Sequence, residues 1–258
     1  MTIPGFTERS FTHDGKTRTV YWRGEGPGVV IMHEIPGITP QVIRFAEFVA
    51  EAGFTAVTPH LFGETGRAIS TGYIVKEFAR ACVSHEFSVL AAHKSSPITD
   101  WLRALCRSVH SELGGRGVGA IGMCLTGNFA LSLMMEPCLM APVLSQPSLP
   151  MPIGKSRAAG LHVSPEEWQN VKRRVAEGGK VMGLRFSNDP ACPRARFETL
   201  KRELGEGFEA IEIDSKFGNP QGNSTPHSVV TTDLVDEAGH PTRQALDRVL
   251  GFFKERLQ

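Results

Sequence analysis

Apolar and polar positions change their spacing repeatedly along the chain. Near the N-terminus, two alternating runs flank Asp14-Gly15, and an Asp-Gly pair in that setting predicts a β-hairpin. The segment GVVIMHE (28–34) is almost entirely apolar, which is typical of a strand buried on both faces. Residues 40–52 instead carry apolar side chains at helical spacing, and Gly53 follows as a stop signal.

This change between strand and helix patterns continues to the C-terminus. Strands are predicted in FTAVTPHLF, GVGAIGM, LMAPVLSQ, KVMGLRF and FEAIEI, and helices over 97–113, 125–136, 193–204 and 241–257. Ser164-Pro165 begins a further helix, with serine as the cap. Residues 71–94 are less regular, and about 65–95 is interpreted as a cap-like insertion. The alternation predicts a single α/β domain over 1–258, with a mostly parallel sheet and helices on both faces.

Composition and charge narrow the class of protein. The chain has 258 residues and a formal net charge of +1, which offers no electrostatic reason to expect nucleic acid or an anionic membrane as a partner. The uncharged stretch 117–135 contains four glycines, so a strand followed by a buried helix explains it better than a membrane span. No apolar signal segment opens the chain. We therefore expect a cytoplasmic protein.

The cysteines are odd in number and scattered, which argues against a secreted disulfide framework. No pair forms a CxxC motif, so zinc-ribbon and thioredoxin-like sites are also disfavoured. The five positions are 82, 106, 124, 138 and 192.

The segment GVGAIGMCLTG (117–127) contains the strongest candidate for chemistry. A buried strand is predicted to end at Met123 and a helix to begin near Leu125, with Cys124 between them. Such a strand-to-helix turn is the nucleophile elbow, which needs small neighbours because backbones approach closely. A cysteine in an apolar stretch is usually a buried hydrophobe, but this setting and the helix N-terminus favour a reactive thiolate. The letters GxGxxG at 117–122 also match a dinucleotide-binding fingerprint, which we reject because these glycines lie within the strand.

A cysteine nucleophile requires a base and an acid that orients it. Three histidines follow Cys124. His162 lies before a helix and comes too early in the order of the strands, and His240 precedes the last helix as a capping or surface residue. His227 lies in a long Gly-, Pro- and Asn-rich loop after the last predicted strand, so it is preferred.

The acid must lie between the nucleophile and the histidine in this chain order. Asp189 directly follows the strand KVMGLRF, although an aspartate before proline also fits a turn or helix cap. Asp214 ends the next strand, and Asp233 and Asp236 come after the histidine. The predicted triad is Cys124, Asp189 and His227.

Glu34 ends a buried strand, so its carboxylate must be paired or face a cleft. In folds with a nucleophile elbow, the loop after a strand at this position supplies the second backbone amide of the oxyanion hole. The backbone N–H groups of Ile35 and Leu125 are therefore the predicted oxyanion hole. His33-Glu34 is not a zinc motif, because no histidine stands at position 37.

These motifs together resemble the dienelactone hydrolase family of α/β-hydrolases. The resemblance rests on HEIPGI at 33–38, GMCLTG at 122–127, Asp189 after its strand and His227-Ser228, and it extends from about Gly28 to the end. It implies an α/β-hydrolase fold, a Cys124–His227–Asp189 triad, and control of thiol activation by Glu34.

The sequence also departs from the family pattern. Thr126 stands where a glycine is usual, and Thr231, four residues after His227, where an arginine is expected. Residues 65–95 do not follow the family pattern either. The resemblance therefore implies the type of reaction more strongly than it implies dienelactone as the substrate.

The sequence thus predicts a cysteine-dependent hydrolase of small carboxylic esters or lactones that acts through a thioacyl intermediate. Neither a metal nor a cofactor is implied. Two alternatives stay open: a catalytically inactive binding protein with an α/β-hydrolase fold, and a thiol redox sensor, for which Cys124 has no resolving cysteine close in sequence.

Overall fold

The computed structural model describes residues 2–83, 97–148 and 158–258. Eight strands in these ranges form one sheet in the order β1-β2-β4-β3-β5-β6-β7-β8. The strands are β1 Thr7–His13, β2 Lys16–Arg23, β3 Gly28–Met32, β4 Thr55–Pro59, β5 Val118–Met123, β6 Leu139–Ser145, β7 Val181–Phe186 and β8 Phe208–Ile213. β2 is antiparallel to both β1 and β4, and every other neighbouring pair is parallel. The predicted hairpin and the mostly parallel sheet are confirmed.

Helices follow most of the parallel strands along the chain, as the pattern predicts. They are α1 Pro40–Glu51, α2 Thr71–Val83, α3 Pro97–Leu113, α4 Phe129–Ser132, α5 Pro165–Ala176, α6 Arg194–Leu204 and α7 Pro241–Leu257. Ser164 caps α5 by accepting a hydrogen bond from Glu167 N–H, and the Glu167 side chain accepts from Ser164 N–H, which completes a capping box.

Two apolar clusters pack against the sheet. One contains Trp101, Leu105 and Val109, which α3 buries at the predicted helical spacing together with side chains of α4, α5 and α6. The other contains buried phenylalanines of α1 and α7, including Phe45 and Phe253. Helices therefore cover both faces of the sheet, which explains why the central parallel strands β3 and β5 are apolar and buried throughout.

The helix predicted over 125–136 is wrong in its continuity. Only Phe129–Ser132 is α-helical, and 3₁₀ turns at Cys124–Thr126 and Leu133–Met135 flank it. Asn170 and Arg174 of α5 donate hydrogen bonds to the carbonyl of Met134, so this end does not need further helical turns. An apolar run that is buried all round carries no periodicity that could have shown this break.

Two further predictions concern the proposed insertion at about 65–95 and the uncharged stretch 117–135. The irregular pattern of 71–94 becomes α2 up to Val83, and the remainder of the proposed insertion, from 84 onward, lies outside the described residues. No helix in the described ranges is long and apolar enough to cross a membrane, and the uncharged stretch 117–135 is divided between β5 and the short turns after it.

Candidate active site

The turn after β5 holds Cys124 in a backbone conformation that non-glycine residues rarely adopt, with φ at +54°. Its side chain is half-buried. The turn is tight: a Cβ at Gly122 would lie 2.1 Å from the carbonyl oxygen of Thr126, and one at Gly127 would lie 2.5 Å from Pro147 Cα. The small neighbours that the sequence analysis required are therefore a steric necessity at this turn.

Thr126, which replaces a usual glycine of the family, closes the turn with its side chain. Its hydroxyl oxygen accepts a hydrogen bond from Met123 N–H at 2.9 Å and lies 2.8 Å from the carbonyl oxygen of Met32, to which it can donate. Because Met32 ends β3 and Met123 ends β5, the hydroxyl joins the two central strands where both stop. The departure at Thr126 is accommodated within the turn.

Asp189 and His227 meet across two loops. Nδ1 of His227 donates to Oδ2 of Asp189 at 2.7 Å, and the Asp189 side chain is buried. The other carboxylate oxygen, Oδ1, accepts from Ala191 N–H at 2.9 Å, so the turn interpretation of Asp189 also holds. Since a carboxylate can only accept, Nδ1 carries the proton and Nε2 of His227 is left for another partner.

That other partner is Cys124. Burial alone lowers the pKa of His227, but the charge of Cys124 when ionised and the hydrogen bonds with Asp189 and Cys124 outweigh it and hold that pKa well above 6.5. The loops after β5, β7 and β8 thus bring the three residues of the predicted triad together at the carboxyl edge of the sheet.

Glu34 is buried beside the histidine loop without a direct hydrogen bond to Cys124 in the described part of the chain. Oε2 accepts from Ser228 Oγ at 2.7 Å and from Gln146 Nε2 at 3.2 Å, while Thr231 donates to Oε1. Burial raises the pKa of Glu34, and the hydrogen bond from Thr231 and the charge of His227 offset part of this rise. Glu34 therefore connects the end of β3 to the loop that contains His227.

The two predicted oxyanion donors follow the ends of β3 and β5. In the described ranges, neither the Ile35 nor the Leu125 N–H donates a hydrogen bond to a backbone carbonyl. Buried backbone N–H groups are nearly always paired in folded proteins. In the described ranges neither N–H therefore has a backbone partner of this kind, as an oxyanion hole requires.

Two other histidines, His33 and His240, have structural roles. Leu61 N–H donates to Nε2 of His33 at 3.1 Å, which leaves Nδ1 to donate to the carbonyl of Glu34, and burial lowers the pKa of His33 to about 3. His33 is accordingly neutral. His240 caps α7 by accepting from Thr242 N–H, as expected of a capping residue.

Two buried polar residues of this region were not predicted. Gln146 follows β6 with φ at +34°, donates to Glu34, and accepts from Val229 N–H at 3.3 Å. A polar residue ending an apolar strand at the same sheet edge was the available signal. Asp233 accepts a hydrogen bond from the backbone N–H of His227. It lies late in the loop, after the histidine, so its sequence position did not indicate a role in the site.

The sequence of the chain matches a known protein family. The sequence model of the dienelactone hydrolase family matches residues 16–157, which is more than half of the chain. That match includes Glu34 and Cys124 but ends before Asp189 and His227. A search of curated proteins finds no sequence that matches the chain.

Solved structures share the fold at low sequence identity. A protein of Klebsiella pneumoniae subsp. pneumoniae assigned as a dienelactone hydrolase superposes with a TM-score of 0.64 at 18% identity, covering 97% of this chain and 98% of the other. A dienelactone hydrolase-like promiscuous phosphotriesterase from metagenomic libraries gives 0.64 at 16%, covering 98% and 100%. An esterase of Pyrococcus furiosus gives 0.58 at 14%, covering 98% and 93%.

The fold is thus that of the α/β-hydrolases. Within that class the chain belongs to the dienelactone hydrolase family, and it is a hydrolase acting on ester bonds.

Proposed function

We propose that the protein is a cysteine-dependent hydrolase of carboxylic esters or lactones, with Cys124 as nucleophile, His227 as base and Asp189 as the orienting acid. The observation that carries the proposal is His227 itself, whose imidazole donates to Asp189 at 2.7 Å and whose pKa is raised by Cys124. A histidine between a buried carboxylate and a thiol is the arrangement that activates a cysteine.

The reaction proceeds in two halves. Nε2 of His227 takes the thiol proton, and the Cys124 sulfur attacks the acyl carbon of the ester. The backbone N–H groups of Leu125 and Ile35 bind the oxygen that becomes negatively charged. The protonated imidazole then gives its proton to the departing alkoxide, which leaves as the alcohol, and a thioester remains on Cys124.

Water completes the turnover. His227 removes a proton from a water molecule, which attacks the thioester carbon. The carbon–sulfur bond breaks, the acid is released, and the thiolate recovers its proton from the imidazole. Asp189 accepts the hydrogen bond from Nδ1 of His227 and stabilises the imidazolium formed in each half.

We assign Glu34 to the control of the thiol. Its buried carboxyl group accepts from Ser228, the residue after His227, so its protonation state affects the loop that holds the base. Three uncharged donors surround it, and within the described residues none of its hydrogen-bonding partners is an arginine.

The test is turnover by Cys124→Ala. We expect it to lose hydrolysis of p-nitrophenyl acetate and of a lactone panel, whereas Cys138→Ala, which removes another half-buried free thiol, keeps both activities. Full activity in Cys124→Ala would contradict the proposal.

The same preparation separates the alternative functions. An inactive binding protein would leave Cys124 no faster to react with iodoacetamide than the other cysteines, by intact-protein mass spectrometry. A redox sensor would instead form a disulfide at Cys124 under mild peroxide while hydrolysing no ester.

A further inference from the structure

The loop that follows β8 closes around a second buried acid. Asp233 is fully buried, and its carboxylate belongs neither to the proposed triad nor to the hydrogen-bond partners of Glu34. A buried carboxylate is costly unless its oxygens are hydrogen-bonded, so its partners reveal what it holds.

All the donors to this carboxylate come from the histidine loop. Oδ2 accepts from the backbone N–H of His227 and of Ser228, both at 2.8 Å, and from Asn223 Nδ2 at 2.6 Å. Oδ1 accepts from the backbone N–H of Asn223 at 2.8 Å. Four uncharged donors therefore converge on one side chain, and within the described ranges neither a lysine nor an arginine is among its hydrogen-bond partners.

The loop is built so tightly around this carboxylate that it leaves no room for a larger neighbour. A Cβ at Gly222 would lie 2.3 Å from Oδ1 of Asp233. The backbone closes the same ring, because Asp233 N–H donates to the carbonyl of Ser228 at 3.0 Å and Asn219 N–H donates to the carbonyl of Asp233 at 3.2 Å.

Two of the four donors are the backbone N–H groups of His227, the proposed base, and of Ser228, which binds Glu34. His227 turns its imidazole to Asp189 and Cys124, and Ser228 turns its hydroxyl to Glu34. One carboxylate oxygen thus sets the main chain from which both side chains extend. Its negative charge also raises the pKa of Glu34.

We propose that Asp233 is a positioning residue of this hydrolase, whose carboxylate holds the main chain at His227 and Ser228. The inference rests on the proposed function, since it assigns to Asp233 the placement of the base. Losing the carboxylate leaves buried N–H groups unpaired and lets the imidazole move away from its two partners. Misplacement of about 1 Å is enough to cost on the order of 100-fold in rate.

The decisive variant is Asp233→Asn, which keeps the size of the side chain. In either orientation the new amide turns its NH2 group towards an N–H donor. We expect kcat/KM to fall about 100-fold. We also expect the pKa of His227, followed by NMR, to fall towards 6.5, because the imidazole loses its contacts with Asp189 and Cys124. The His227 signal is identified by its absence in His227→Gln.

The matched control is Asp236→Asn. Asp236 is an exposed acid three residues further on, paired with Arg243, and we expect its loss to change neither kcat/KM nor the pKa of His227. Asn223→Ala serves as a milder variant, which removes only one of the four hydrogen bonds. It should lower both quantities in the same direction by a smaller amount.

A purely structural role for Asp233 would reduce the amount of folded protein and leave the pKa of His227 in the folded fraction unchanged. The proposal is overturned if Asp233→Asn matches Asp236→Asn in kcat/KM and in that pKa. If Asp233→Asn does not fold, wild-type values of both quantities in Asn223→Ala overturn it. Failure of the proposed function is distinct, because Cys124→Ala would then keep hydrolysing esters.

Discussion

The turn at Cys124 and the loop at His227 place their reactive groups by different means. The cysteine turn relies on steric contact, because Gly122 and Gly127 leave no space for a Cβ. The histidine loop relies on polar side chains: Asp189, which is distant in sequence, holds the imidazole, and Asp233, within the loop, holds its backbone. Substitutions of the two glycines should therefore affect mainly stability, whereas substitutions of the acids that hold the histidine should affect mainly activity.

The largest expected effect belongs to Asp189→Asn. The new amide can present N–H to Nδ1 of His227, which selects the wrong tautomer for a base. We expect kcat/KM to fall by about 10³- to 10⁴-fold in a p-nitrophenyl ester assay. Asp214→Asn, at an exposed aspartate that follows β8, is the control and should retain activity.

Asp189→Asn also changes stability with pH. The pKa of His227 is raised in the folded protein, partly by Asp189, so the stabilising contribution is fully present below pH 6.5 and is lost as the pH rises through the folded value. The variant should be destabilised most at acid pH. Denaturant unfolding from pH 5 to 9 measures this trend, and a destabilisation that grows with pH would contradict the ion pair.

Gly122→Ala should affect mainly stability. Its new methyl group would lie 2.1 Å from the carbonyl oxygen of Thr126, and neither backbone segment can yield without opening the turn. We expect the free energy of unfolding to fall by about 3 kcal/mol, measured by denaturant titration.

Gly251→Ala in α7 is the matched control. A Cβ there would meet only the flexible Arg248 side chain, at 3.4 Å, and alanine should raise stability by about 0.5 to 1 kcal/mol. If the two glycine variants unfold at the same denaturant concentration, the turn is not held by steric contact.

The smallest effect is expected at Glu34, which joins the turn side of the sheet to the histidine loop. Because burial raises its pKa above 4.5, the folded protein favours the protonated form of Glu34 more than the unfolded chain does, and the contribution of Glu34 to stability falls as the pH rises above 4.5. Glu34→Gln does not titrate. It should lie within about 1 kcal/mol of the wild type at pH 4.5 and gain on it towards pH 8.

Denaturant unfolding at both pH values tests this, with Glu237→Gln at an exposed glutamate as the control. A Glu34→Gln difference that is constant across pH would show that Glu34 keeps its ordinary protonation behaviour.

The same comparison explains what could be predicted from the sequence. The turn is local: a buried strand, Cys124 and two glycines lie within eleven residues, so the pattern indicated both the nucleophile and its surroundings. Chain order and strand ends were enough to select Asp189 and His227. The partners of Glu34 were not predictable in this way, because hydrogen bonds to Gln146, Ser228 and Thr231 depend on side-chain packing across loops. Asp233 lies in the same loop as His227, but in the sequence it was only an acid that follows the histidine, on the wrong side for the triad.

The central claim is that Cys124 carries the acyl group during turnover. It is tested most directly by acid-quenching the enzyme within the first turnovers of p-nitrophenyl acetate and locating the added acetyl mass by peptide mass spectrometry. We predict that the acetyl group is found on the Cys124 peptide and that it decays at the rate of steady-state turnover. Two results would contradict the claim. One is turnover in the wild type and in Asp189→Asn with no acetyl group on Cys124 in either protein. The other is an acetyl group on a different residue that forms and decays at the turnover rate.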